Sequence, residues 1–574
     1  MKKKILCLAL CAIMVFSCFI GCEEESREDV MYKIGKDASV NASTVTVYLL
    51  AEEKVSAEQE KLVEDAVNEI MATYDVALDL VYETADNYYK KLEENLQEMK
   101  DVAAAEKEAK KDKTNKTTET AATDDKSLYL DENGLPTVYY PPNPDYHVDI
   151  FYFSGYDKYI QYRDADYLAD FSTPIKDTNA KAIKHGVSTI LYDAVKTLNG
   201  KYDMMPCNTQ VGEYTYLLLN KELLASTQYT SAQIDNLLSA NCADFLKLVN
   251  DHYPDYVPLY SSEGTLVYDT VKFLGANANG FASDDFSLVA GSYDRTWKYG
   301  EDDQYPVMGK LTDVVDNGTI SVKDQIAQLK NYEFSGYYAT DADKDKPFAV
   351  GYVKGDITLP EQYADEYEVL ILDKPTLETE DIYENAFAIS KNTKQLAKTA
   401  LVLSEIYTNE TVINLLAHGV ENTNYIWTDS AMRNETTYEL YRVVEPIEDE
   451  EEKYVYKMDP AKVGNTARVY PTVNDDPRIT DNTLEQNYQA SLSLKFGFSM
   501  YDFYYLKDKN GKFANKDSVK KIAEYSAEAK ALLVNAKDAA ALDAAFAEID
   551  KLLEKEEFTT SLKSLIIAYE KAVK

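Results

Sequence analysis

The sequence predicts an α/β protein built around more than one hydrophobic core. Three observations carry this. A strand–helix–strand run opens the patterned part of the chain, strand patterns return after residue 345, and 574 residues exceed what one core holds together.

The first strand is "STVTVYLLAEE" (43–53), where β-branched and apolar residues alternate. Ser56-Ala57-Glu58-Gln59 then forms a capping box. Leu62, Val63, Ala66, Val67, Ile70 and Met71 recur at helical spacing, and "VALDLVYET" (76–84) is a second strand. Such a β-α-β unit favours a parallel pair with a right-handed crossover. Residues 87–113 are helix formers throughout. They fade into "TNKTTETAATDDKS" (114–127), which has almost no apolar residue and reads as a disordered surface excursion.

A strand is expected over 147–153. A helix, a turn at Asn199-Gly200 and the strand "YTYLLLN" follow within 181–224. "KPFAVGYVKGD" (346–356) and "EYEVLILDKP" (366–375) are strands. Residues 384–427 read as strand, cap, two helices and a turn, "EPIEDEEEKYVYK" as a solvated acidic loop, and the C-terminal stretch as helices. No repeat of fixed period is present.

The N-terminus reads as an address. Lys2, Lys3 and Lys4 precede an apolar stretch, Ile5 to Ile20, shorter than the ~20 residues of a membrane span, so residues 1–21 fit a signal peptide. Phe19-Ile20-Gly21-Cys22 resembles a bacterial lipobox, with Phe19 in place of the usual leucine. That likeness implies lipidation at Cys22, residues 22–43 as a tether, and a two-chain membrane anchor. The alternative is a plain signal peptide with a coincidental cysteine.

The formal net charge is −39. It excludes nucleic-acid binding by counterion release and leaves no basic face for anionic lipid. Past Cys22 only Cys207 and Cys242 remain, either as a disulfide or as two buried thiols. The four histidines stand far apart with no metal-ligand spacing, and no cofactor motif is present, so neither a metal nor a cofactor is expected.

Four segments together resemble an extracellular solute-binding lipoprotein of a bacterial ABC importer, in the oligosaccharide-binding branch. They are "VTVYLLAEE" with its helix, "VDIFYFSGYDKYIQYRDADYLADFS", "GKYDMMPCNTQVGEYTYLLLNKELL" and "AFAISKNTKQLAKTALVLSEIYTNETVINLLAHGVENTNY". "KVGNTARVYP" and "QASLSLKFGFSM" extend the likeness toward residue 505. The chain departs from the family in an insertion at about 100–140, and in Asn422-Thr423, where a second glycine is expected after Gly-Val-Glu. The resemblance implies a two-lobe periplasmic-binding-protein-like α/β fold with discontinuous lobes, a hinge and C-terminal helices. Lobe one is expected at 44–180 and 345–420, lobe two at 181–344 and 421–574. It further implies a place on the outer face of the cell membrane, with an ABC permease as partner and a small-molecule solute, a carbohydrate, as ligand; a monomer is the default expectation.

Ligands of open α/β sheets sit beyond the carboxyl ends of the strands. Position therefore nominates Glu52 and Glu53 after the first strand, and Ser154, Gly155 and Tyr156 after strand 147–153. It also nominates Asn208, Thr209 and Gln210 before strand 214–219, Tyr214 at its start, and Gly351 and Tyr352 after strand 347–350. Trp297 stands in a polar loop between Arg295 and Lys298, and Trp427 divides between packing and the cleft. Carboxylates, amides and aromatic rings suit a sugar, whose hydroxyls need polar partners and whose C–H faces stack on rings. For each nominee the competing reading is structural: a core tyrosine, a turn residue or a solvated acid.

Three functions stand beside each other: a carbohydrate-binding component of an importer, the same scaffold for a peptide, sugar acid or polyol, and a surface glycosidase. The glycosidase needs only two suitably spaced carboxylates. Against catalysis, the chain lacks a Gly-x-Ser-x-Gly elbow, a phosphate loop and a His-Glu-x-x-His motif, and no enzyme is expected.

Overall fold

In the computed structural model the described residues are 43–113, 129–130, 136–137, 140, 142–197, 200–262, 315–316, 320–339, 346–377, 379–433, 438–448, 456, 458–492, 516–553 and a few positions up to 564. Residues 1–21, read above as a signal peptide, Cys22, the stretch 114–127 and Trp297 with Arg295 and Lys298 lie outside them.

In chain order the main elements are β1 (Ser43–Ala51), α1 (Ala57–Met71), β2 (Val76–Thr84), α2 (Tyr88–Lys113), β3 (Ile150–Phe153), α3 (Tyr156–Asp164), β4 (Met205–Pro206), β5 (Tyr214–Asn220), α4 (Ala240–His252), β6 (Val257–Ser261), α5 (Val322–Phe334) and β7 (Tyr338–Ala339). They continue with β8 (Phe348–Gly355), β9 (Tyr367–Asp373), β10 (Ala386–Ile389), α6 (Leu396–Thr408), α7 (Glu410–His418), β11 (Tyr425–Arg433), β12 (Tyr438–Pro446), α8 (Ile479–Gln489), α9 (Lys516–Asn535) and α10 (Ala539–Leu553).

Two five-stranded sheets organise the molecule into two α/β lobes. The first runs β2-β1-β3-β10-β4, with β1 parallel to β2 and β3, and β10 antiparallel to β3 and β4. The β-α-β reading of residues 43–84 is realised, with Ser43 opposite Val76 and Ala51 opposite Thr84. Ser56 caps α1 by accepting the Gln59 N–H. The second sheet runs β7-β6-β8-β5-β9, with β6 parallel to β7 and β8, and β5 antiparallel to β8 and β9.

Each sheet has its own core. Val47, Val67, Phe151, Phe387, Leu403 and Ile413 belong to the first. Leu217, Phe245, Ile326 and Val350 belong to the second, joined there by Leu533 of α9 and Phe546 of α10. The C-terminal helices are thus part of the second lobe. A small aromatic layer of Tyr216, Tyr260, Phe348 and Tyr367 covers the other face of that sheet.

The lobe boundaries differ from those expected. β8 and β9, placed by sequence in lobe one, hydrogen-bond to β5 and β6 in the second sheet. Ile183 to Val211, and Tyr456 to Val469, placed in lobe two, pack in the first core. Uniformly apolar strands do not advertise their neighbours in a sheet, so the register decided what the pattern left open.

The chain crosses between lobes at 207–213 and returns at 374–377. Gly212 has a φ of 56°, and a Cβ there would meet the Thr376 carbonyl oxygen at 2.5 Å. Only glycine serves where the two crossing strands touch. α8 lies over this point. Gln486 donates to the Val211 and Gly212 carbonyls at 3.1 and 2.7 Å, and Asn487 accepts from the Val211 N–H at 2.9 Å.

Among the described residues, no helix is long and apolar enough to cross a membrane. Cys207 and Cys242 are both buried and free, which resolves their two readings in favour of thiols.

Candidate functional site

β1, β2, β3 and β4 all run the same way, so Glu52, Ser154, Tyr156, Asn208 and Gln210 follow strand ends along one edge of the first sheet. In the second sheet the carboxyl end of β8 pairs with the start of β5, Gly355 opposite Tyr214. Tyr214 is reached directly from the first edge through residues 207–213. The carboxyl edges of the two sheets therefore adjoin at the crossover, the position where open α/β sheets form a binding crevice.

The nominees divide once their contacts are seen. Glu52 is exposed and lines a cavity of about 290 Å³ with Ala417, His418, Asn424, Tyr425 and Asp475. Ser154 is half-buried, and its N–H donates to the Tyr89 hydroxyl at 3.2 Å. Tyr156 starts α3 and packs edge-on against Tyr383, ring centroids 5.2 Å apart. Gln210 is half-buried and donates to the Gln486 carboxamide at 2.9 Å. Tyr214 is buried and stacked on Tyr216 at 5.5 Å, and burial raises its hydroxyl pKa.

Two nominees are structural. Asn208 is buried, its carboxamide oxygen accepting from the Ser188 N–H and hydroxyl at 2.9 and 2.6 Å, its NH₂ donating to Asn465 at 2.9 Å. Tyr352 does not follow a strand end. β8 continues to Gly355, and Tyr352 sits within it, opposite Leu217 and in the second core. Trp427 is half-buried on β11, 4.7 Å from Tyr470 and with the Arg442 guanidinium 4.4 Å over its ring, so its faces are engaged by the protein itself.

The cavity beside Glu52 is lined by apolar Ala417, Pro446, Met458 and Pro460 and by polar Glu52, Thr472, Asn474 and Asp475. Its wall is the turn after α7. Gly419 adopts φ 79°, and a Cβ there would strike the Asn424 side chain at 2.4 Å. Asn424 accepts the Val420 N–H at 2.8 Å and donates to Gln59 at 2.7 Å, which ties the turn to α1. Asn422, standing where a glycine was expected, takes φ 62°, a conformation asparagine tolerates better than other side chains. The turn therefore keeps its left-handed residue despite the altered sequence.

His418 donates its Nε2 proton to the Tyr470 carbonyl at 2.9 Å, and burial lowers its pKa to about 4. Tyr456 is buried and donates to the Leu416 carbonyl at 2.9 Å. Both line the cavity. No site residue was nominated in 456–475, because that stretch carries neither helical nor strand period; only the likeness of "KVGNTARVYP" fell within it. Among the described residues no group of three or more His, Cys, Asp or Glu could hold a metal ion.

No protein-family model and no curated protein matches the chain. Among solved structures the chain is similar to the N-glycan transport solute binding protein of Streptococcus pneumoniae, at 17% identity and a TM-score of 0.49, over 92% of this chain and 99% of that one. It is also similar to an extracellular solute-binding protein of Bifidobacterium longum subsp. infantis, at 13% identity, TM-score 0.45, over 93% and 99% of the two chains. A third similar structure is an HMO-binding, ABC-transporter-associated solute binding protein of Bifidobacterium longum infantis, at 12% identity, TM-score 0.45, over 92% and 99%. All three are solute-binding proteins, the kind of protein that the four sequence segments resemble.

Proposed function

We propose that this protein is the solute-binding component of an ABC importer, and that it captures a neutral carbohydrate in the crevice between its lobes. The observation that carries the reading is the meeting of two carboxyl edges at a double crossover; a cavity lined by both carboxylates and apolar side chains lies at the end of β1, on the first-lobe side. A sugar ring would lay its C–H face on Pro446, Met458 and Pro460 and give its hydroxyl protons to Glu52 and Asp475. The same two acids disfavour a sugar acid or an acidic peptide through like-charge repulsion. Binding without catalysis is the role proposed. Ser154, Tyr156, Gln210 and Tyr214 would serve the same crevice.

A thermal-shift screen against mono- and oligosaccharides, sugar acids and peptides tests the reading. A ligand that binds only the folded state at a hundredfold excess over its Kd stabilises it by about 2.7 kcal/mol. Shifts confined to neutral sugars are expected. Shifts confined to acids or peptides, or release of reducing sugar from any substrate, would overturn it.

The anchor belongs to the same proposal. Cys22 would carry lipid and hold the protein on the outer face of the membrane beside its permease. Fatty-acid labelling in the native host should mark the wild type and spare Cys22→Ser. Equal labelling of both would remove the anchor from the account.

A further inference from the structure

We infer that Arg478 is an electrostatic latch that ties the two lobes together before any ligand arrives. Arg478 precedes α8, which packs on Thr466–Arg468 and Thr189–Ala194 and so belongs to the first lobe. Glu361 lies in the one-turn helix Leu359–Tyr363, whose Leu359 and Tyr363 pack on the aromatic layer of the second sheet. Two parallel hydrogen bonds join them across the lobes, Nη1 to Oε1 at 2.7 Å and Nη2 to Oε2 at 3.0 Å.

The guanidinium is preset for this contact. Asp476 accepts from its Nε at 3.1 Å and from its Nη2 at 2.8 Å, and the same carboxylate accepts the Arg478 N–H at 2.8 Å. An arginine fixed on one side by its own lobe loses little rotamer freedom on meeting a carboxylate bidentately on the other. A second tie runs in parallel: Gln486 accepts the N–H of Ile357, from the second lobe, at 3.0 Å. Segment 356–361 is therefore gripped twice by the start and middle of α8. The fork is partly open to water, with Arg478 25% and Glu361 59% exposed, so the latch is one that salt can loosen.

The latch stands on lobe geometry alone. Its effect on sugar affinity rests on the function proposed above, and the test uses no ligand, so the two can fail separately. Hydrogen exchange is measured on the full chain for wild type, Glu361→Gln, Arg478→Gln and the double variant. Each single change should speed exchange across 356–363 about three- to fivefold, the scale of a well-oriented ion pair, while β1 amides keep wild-type rates as the control for folding. The double variant should match the singles, because both remove one interaction. The difference from wild type should shrink at about 1 M salt. Arg478→Lys, which keeps charge and loses the fork, should fall between. Unchanged exchange in Glu361→Gln, additive effects in the double variant, or a difference that persists in full at high salt would each overturn the latch.

Discussion

At the scale of single residues, burial decides what a polar side chain can do. His418 illustrates it. Its folded pKa of about 4 lies below the ordinary 6.5, so the unfolded chain binds the proton more readily. Stability contributed by neutral His418 is complete above about pH 6.5 and is lost as pH falls toward 4. The loss should reach about 3 kcal/mol by pH 4, at 1.36 kcal/mol per pKa unit. Denaturant melts of wild type and His418→Gln from pH 7 to pH 4 should show the wild type losing the extra stability. Parallel pH profiles would contradict it. The sequence-based nominations also separate at this scale. Glu52, an acid directly after a strand end, is exposed and lines the cavity. Asn208 was not legible, because an asparagine in a loop looks the same whether it faces a ligand or, as here, Ser188 and Asn465. Tyr352 misled because β8 runs past the glycine that seemed to end it.

Elements are held by how their edges and ends are satisfied. β2 is the outer strand of the first sheet, and α1 covers its open side. Asn68 accepts the Leu78 N–H at 2.6 Å and donates to the Leu78 carbonyl at 3.0 Å, while Glu64 accepts the Leu80 N–H at 2.9 Å. Side chains thus stand in for a missing strand, which blocks edge-to-edge pairing with another molecule. Burial raises the Glu64 pKa, so the folded state binds its proton more tightly than the unfolded chain does. Stability from this group is therefore greatest at low pH and declines as pH rises from about 4.5 through the raised folded value. Glu64→Gln keeps an acceptor for Leu80 and removes the desolvated charge, so its melting temperature at pH 7 should equal or exceed that of wild type. Glu64→Ala should cost about 1 kcal/mol, the price of one hydrogen bond. A Gln variant as unstable as the Ala variant would contradict this. Strand and helix identities were readable here because their periods differ, whereas edge capping was not, since it depends on which face of α1 meets β2.

For the whole molecule, the division into two α/β lobes was visible in outline from length, the β-α-β start and the later strands. Its seams were not. β8 and β9 join the second sheet, and 456–469 returns to the first core, because pairing between apolar strands is settled by register and by the crossing geometry at Gly212. The same crossover places the carboxyl edges of the two sheets together. Capture of a neutral sugar beside Glu52 can be measured by calorimetric titration of wild type and Glu52→Gln with a neutral oligosaccharide that shifts the melting temperature. Saturable binding to the wild type is expected, and about five- to tenfold weaker binding when Glu52 loses its charge, since glutamine still accepts a hydrogen bond and a charged acceptor exceeds a neutral one by about 1–1.5 kcal/mol. Equal affinity in both proteins, or no heat with any neutral sugar, would contradict it.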